Sequence, residues 1–198
     1  MKAAIRSGLL ALAAVCLPAV AHAHTGVGHA AGLVHGFMHP IGGLDHVLAM
    51  VAVGMVASIL GGRALWLVPT SFVVMMAVGG ILGMQGVSVP FVEIGIAASV
   101  VVLGLAVALR WNPPTAAAMG VVSLFAIFHG HAHGAEMPLD ASGLQYAAGF
   151  MTATALLHIV GIGLGIAVGR VGANSANAMR FGGGAMALAG VGLLTGYI

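Results

Sequence analysis

Ten histidines stand among 198 residues, against only four carboxylates and six basic residues. Most of them gather in three short motifs. His39-Pro40-Ile41-Gly42-Gly43-Leu44-Asp45-His46 opens one apolar stretch, and Phe128-His129-Gly130-His131-Ala132-His133-Gly134-Ala135-Glu136 closes another. His158 lies in the body of a third, within Ala153-Thr154-Ala155-Leu156-Leu157-His158. At 100° per residue, His129, His133 and Glu136 fall within about 60° of one another on a helix, while His131 faces the opposite side. His39 and His46, seven apart, share a face with Asp45 beside it. Imidazoles four apart can place their nitrogens on one ion, and a carboxylate one turn away can orient them and fix their tautomers. Two histidines from each of the first two motifs, with Asp45 or Glu136, can form one shell. Such a shell suits Ni2+, Co2+, Zn2+ or Cu2+ and disfavours Mg2+ and Ca2+, which take all-oxygen ligands. The ligand set alone does not choose among the first four.

The elements that must position these residues are helices in a membrane. Only 5% of residues are charged, 61% are hydrophobic and 32 are glycine, too little polar surface for a soluble domain. The expected fold is all-α, a six-transmembrane-helix bundle after a cleavable N-terminal signal peptide. Residues 1–23 read as the signal: Lys2 and Arg6, an apolar run from Leu9 to Val20, and Ala21-His22-Ala23 for cleavage. Residues 24–198 read as a single transmembrane domain. Cys16, the one cysteine, lies in the signal, and Val15 before it argues against a lipoprotein anchor. The mature chain therefore offers imidazole and oxygen ligands but no thiolate.

The six apolar stretches are Pro40–Leu60, Ala64–Met84, Val89–Leu109, Thr115–Ala135, Gly143–Gly169 and Asn177–Ile198. Pro40 suits the first position of a helix, Thr115 an N-cap, and Pro138 a stop after the fourth span. A cleaved signal leaves the mature N-terminus outside the cytoplasm, and six crossings return the C-terminus to that side. The cytoplasmic loops then hold Arg63, Arg110, Arg170 and Arg180, as the positive-inside rule asks. Asp45, Glu93, Glu136 and Asp140 fall near the outer face. The implied location is a bacterial inner membrane, with lipid as the surrounding partner. A pI of 9.2 built on six basic residues so placed is no nucleic-acid signal. Glycines four apart (Gly79/Gly83, Gly161/Gly165, Gly165/Gly169, Gly192/Gly196) predict close helix packing.

Ionisable side chains in a bilayer are costly and by default mark function. His39, Asp45, His46, His129, His133, Glu136 and His158 are the candidate metal ligands. His158 lies about 16 residues into its span, roughly 24 Å along the axis, so it belongs to a later way-station or to a helix-holding hydrogen bond near Thr154. His22 lies in the signal; His24, His29 and His35 either gather metal or are solvated. Met75-Met76 reads as core packing.

On these motifs the sequence resembles the HupE/UreJ family of membrane proteins, associated with nickel supply to hydrogenase and urease. The resemblance rests on His39-Pro40 with Gly43 through Met50, on Phe128-His129-Gly130 with Ala132-His133-Gly134 and Glu136, and on Gly149-Phe150 through His158, and it covers essentially the whole chain. It implies secondary permeation of Ni2+ as the transported ion, and its first-helix motif maps onto His39, Asp45 and His46. Nickel-delivery proteins for urease or hydrogenase are the partners it admits. The choice of nickel comes from the resemblance. Other readings are a permease for another first-row ion such as cobalt and a non-transporting metal-binding accessory. An intramembrane metalloenzyme is disfavoured, because no H-E-x-x-H motif is present. No P-loop is present either, and no organic cofactor is expected.

Overall fold

A computed structural model describes residues 29–137, 143–170 and 172–198. The expected signal (1–23, with Cys16 and His22), His24, Pro138 and Asp140 lie outside them. Among the described residues there are seven α-helices and no strand: α1 His29–Gly42, α2 Leu44–Leu60, α3 Ala64–Met84, α4 Val92–Ala108, α5 Thr115–Ala135, α6 Gly143–Gly169 and α7 Ser175–Thr195.

Three expected spans, now α3, α5 and α6, begin and end where the sequence places them. The first span does not. The chain is already helical from His29, and Pro40 lies inside α1 instead of opening a helix. Pro40 lacks the N–H that would sustain the helix, and two residues later Gly42-Gly43 ends it. Gly43 is extended (φ −99°, ψ 121°), and α2 leaves at 82° to α1. At the head of α4, Pro90 holds Val89 out of the helical region, so this helix starts at Val92 and not Val89. Thr115 is the first residue of α5 and Pro114 its cap, so Thr115 makes no capping bond. The last helix starts two residues earlier than expected and stops at a left-handed Gly196.

Four helices, α3, α5, α6 and α7, are long and apolar enough to cross a membrane, and α1 with α2 adds a fifth span if the bent pair is counted as one. The third expected span, Val89–Leu109, corresponds to α4, a shorter apolar helix of 17 residues. Both α2 and α4 are 17 residues long, and each buries ten of them. Every residue of α2 from Ala49 to Ala57 is buried, and α2 touches all six other helices. A helix apolar all round belongs inside a bundle. Around it the outward faces carry Trp66, Val74, Ile81, Leu124, Ile159, Phe181 and Leu188, an apolar coat matched to lipid.

The helices approach closely where glycine replaces a side chain. Between α3 and α5, a Cβ on Gly79 would strike the Ile127 carbonyl, on Gly83 that of His131, on Gly130 that of Met76 and on Gly134 that of Gly80. Gly54 of α2 and Gly161 of α6 meet in the same way, each against the other helix's backbone. Of the spaced pairs read from the sequence, Gly79/Gly83 and Gly161/Gly165 sit at contacts, whereas Gly169 and Gly196 face open space.

Gly130→Ala should therefore destabilise the detergent-solubilised protein by about 1–3 kcal/mol, an overpacking penalty. Gly120→Ala, on the same helix with nothing within 4 Å of its Cβ, should stabilise by about 0.5–1 kcal/mol through helix propensity. Thermal or denaturant unfolding of the two variants checks the opposite signs.

Candidate metal centre

The bend at Gly43 places Asp45 and His46 in the first turn of α2, where backbone N–H groups lack helical partners. Asp45 Oδ1 accepts from the His46 backbone N–H at 2.7 Å and from His46 Nδ1 at 2.8 Å. A Cβ on Gly43 would stand 2.7 Å from that same oxygen, so glycine is needed for the carboxylate to fold back. A carboxylate also suits the positive end of a helix.

Against this turn, α5 presents His129 and His133. The His46 ring lies 4.6 Å from His129 and 4.3 Å from His133, centre to centre, and His39 of α1 lies 4.7 Å from His133. Two imidazoles bound cis to one ion at about 2.1 Å would have comparable ring separations. All three inner rings are buried: His46 is 7% exposed, His133 5% and His129 0%. His46 Nε2, His129 Nδ1 and both nitrogens of His133 have no hydrogen-bond partner among the described residues. An unpaired buried polar group costs about 1–3 kcal/mol.

Contrary to the expectation from their seven-residue spacing, His39 and His46 do not share a face of one helix. They stand on two helices, and His133 packs between them. The outcome is proximity by a route the periodicity did not contain. His39 Nε2 lies 3.8 Å from Glu136 Oε2 at the rim. His131 points away, its Nε2 donating to the Val87 carbonyl at 2.7 Å in the loop before α4.

His158 is separate from this group. It is 1% exposed, with neither ring nitrogen paired among the described residues. Phe72 intervenes, 5.8 Å from His129 and 5.2 Å from His158 by ring centres. Thr154, the hydrogen-bond partner expected nearby, donates instead to Met76 Sδ at 3.7 Å.

Above the rings is an open cleft of about 440 Å³, whose walls include His35, His39, Asp45, Glu93 and Glu136. Among the described residues, Asp45, Glu93 and Glu136 all border it, and none of the four arginines does. Carboxylates so gathered raise the local cation concentration. Glu93 and His35 are additions to the sequence reading. Topology alone puts Glu93 on the outer side, and His35, expected either to gather metal or to be solvated, stands on α1 at the cleft wall. Ser99, also missed, meets His129 Nε2 at 2.8 Å; a serine in an apolar run gave no signal.

The rings meet edge to face, with interplanar angles of 84°, 88° and 67°. Among the described residues no three His, Cys, Asp or Glu side chains form a ready-made metal-binding group. Gathering an ion between these rings requires them to turn.

An apolar exterior around a buried histidine interior defines a multi-pass helical membrane protein with a polar centre. Residues 11–193 match the family described as HupE / UreJ protein. The chain is also 52% identical over 185 residues to "Protein HupE" of Rhizobium leguminosarum bv. viciae, covering 93% of this chain and 95% of that one. The chain belongs to the HupE/UreJ family. No solved structure matches it.

His133→Ala should weaken metal binding by the purified protein far more than His131→Ala, because only His133 touches the other rings. Calorimetric titration with Ni2+ measures both; equal losses would remove the distinction.

Proposed function

We propose that the chain is a secondary permease that carries Ni2+ inward across the bacterial inner membrane and supplies hydrogenase or urease maturation. The observation that carries this reading is the set of buried imidazole nitrogens of His46, His129 and His133, unpaired among the described residues, beneath an acidic cleft. Ionisable groups at such depth point to an ion pathway. Nickel as the ion, and the enzymes served, rest on the family resemblance.

The proposed path runs from the rim (His39, Glu136) to His133, His46 and His129, and then past Phe72 to His158. Six crossings accommodate it. At 17 residues, α2 and α4 are at the short end of what spans a bilayer. Both mature termini then lie on the periplasmic side, after removal of the signal. Arg63, Arg110, Arg170 and Arg180 fall on the cytoplasmic side, opposite the acidic cleft. A divalent cation moving inward through 100 mV gains about 4.6 kcal/mol, enough for roughly thousandfold accumulation without ATP. A carrier must also release its ion. Rings that turn to gather a ligand suit that demand better than a rigid shell. The chain is read as a carrier and not an enzyme.

Radioactive nickel uptake by cells expressing the protein, with competing Co2+, Zn2+ and Cu2+, tests the proposal. Asp45→Ala and His46→Ala should each abolish uptake while the protein still reaches the membrane. Normal uptake by both variants would remove these residues from the path. Nickel bound by the parent but not accumulated would favour a non-transporting accessory, and stronger competition by Co2+ than by Ni2+ would reassign the ion.

A further inference from the structure

Ser99 of α4 is completely buried. Its Oγ lies 2.6 Å from the Ile96 carbonyl and 2.8 Å from His129 Nε2. A hydroxyl has one proton, and a carbonyl oxygen can only accept. The proton is therefore committed to Ile96, the backbone three residues earlier, and toward His129 the hydroxyl can only accept. The N–H must then be on His129 Nε2. In a neutral imidazole the other nitrogen carries the lone pair, and that nitrogen, Nδ1, is the one left unpaired.

His46 is set by the same logic with the opposite result. The Asp45 carboxylate accepts at 2.8 Å, so His46 Nδ1 carries the proton and the unpaired Nε2 the lone pair. Two adjacent rings, 4.6 Å apart, are thus held in different tautomers by different partners. Each keeps a free lone pair inside the cluster. The approach of α4 to α5 that makes this contact possible depends on Gly95, one turn before Ser99, where a Cβ would meet the Phe128 ring at 2.5 Å.

We infer that Ser99 is a positioning residue of the ion path, holding His129 as the Nε2–H tautomer so that its Nδ1 is available to bind metal. Its purpose rests on the proposed nickel transport, but its effect on His129 does not. Outer partners of this kind typically change metal affinity by 10–100-fold when removed. Threonine at this position keeps the hydroxyl and, like serine, can bond back to the preceding turn.

The test uses the full-length protein in lipid nanodiscs with 15N-labelled histidine, and the signals lost in His129→Asn assign the ring. In the metal-free parent, His129 should show Nε2 protonated and Nδ1 not. Ser99→Ala should lose that pattern, leave His46 unchanged and bind Ni2+ about 10–100-fold more weakly. Ser99→Thr should restore both. A parent His129 protonated at Nδ1 would overturn the inference, as would Ser99→Ala with parental tautomer or parental affinity. Failure of Ser99→Thr to restore binding while the Nε2–H pattern is present would also overturn it. A parent that shows the expected tautomer but never moves nickel would leave the Ser99 contact standing and refute the transport reading.

Discussion

The structure turns on several imidazole nitrogens held inside an apolar bundle without hydrogen-bond partners among the described residues. A membrane protein has little hydrophobic drive to bring helices together, because lipid is as apolar as the helix faces. Association must come from close backbone packing. Here glycine supplies it: Gly79, Gly83, Gly130 and Gly134 bring α3 onto α5, and Gly54 and Gly161 bring α2 onto α6. These are the helices that carry His46, His129, His133 and His158. The close packing that buries the rings is thus also what places them edge to face, and the fold and the site have one cause.

The bend at Gly43 is the second dependency. It lets α1 lie along α6 while α2 enters the centre of the bundle, so that His39 and His46 reach the same histidine of α5 from different directions. It also leaves the first turn of α2 with backbone donors to satisfy, and Asp45 does so while holding His46. One aspartate therefore orders a helix start and orients a ring. Ser99 does the corresponding work for His129 from α4. Phe72 stands below the rings, between His129 and His158, and divides the histidines into an outer group and an inner one.

Much of this was legible in the sequence. The bounds of α3, α5 and α6 are marked by glycine and proline punctuation at Gly61-Gly62 and Pro113-Pro114, and by apolar runs of spanning length. The opposite facing of His131 and His133 follows from helical periodicity alone. The break at Gly43 was not legible, because the apolar pattern continues across it and Pro40 reads equally well as a helix start. The shared-face argument for His39 and His46 inherited that error. Ser99 was missed because its contact is tertiary, with a histidine on a helix distant in sequence, and the place of Glu93 at the cleft wall likewise depends on the packing, which periodicity cannot supply. The interior placement of α2 was hinted at by its lack of a polar face, yet its neighbours could be known only from the packing.

The central claim is that the buried imidazoles are what holds the ion. X-ray absorption at the nickel edge, on the full-length protein loaded with one equivalent of Ni2+ in lipid, addresses it most directly. The account predicts a nitrogen and oxygen shell with the outer-shell scattering of more than one imidazole, losing imidazole character in His46→Ala. A shell of water and carboxylate oxygens alone, or one containing sulfur from the core methionines, would contradict it.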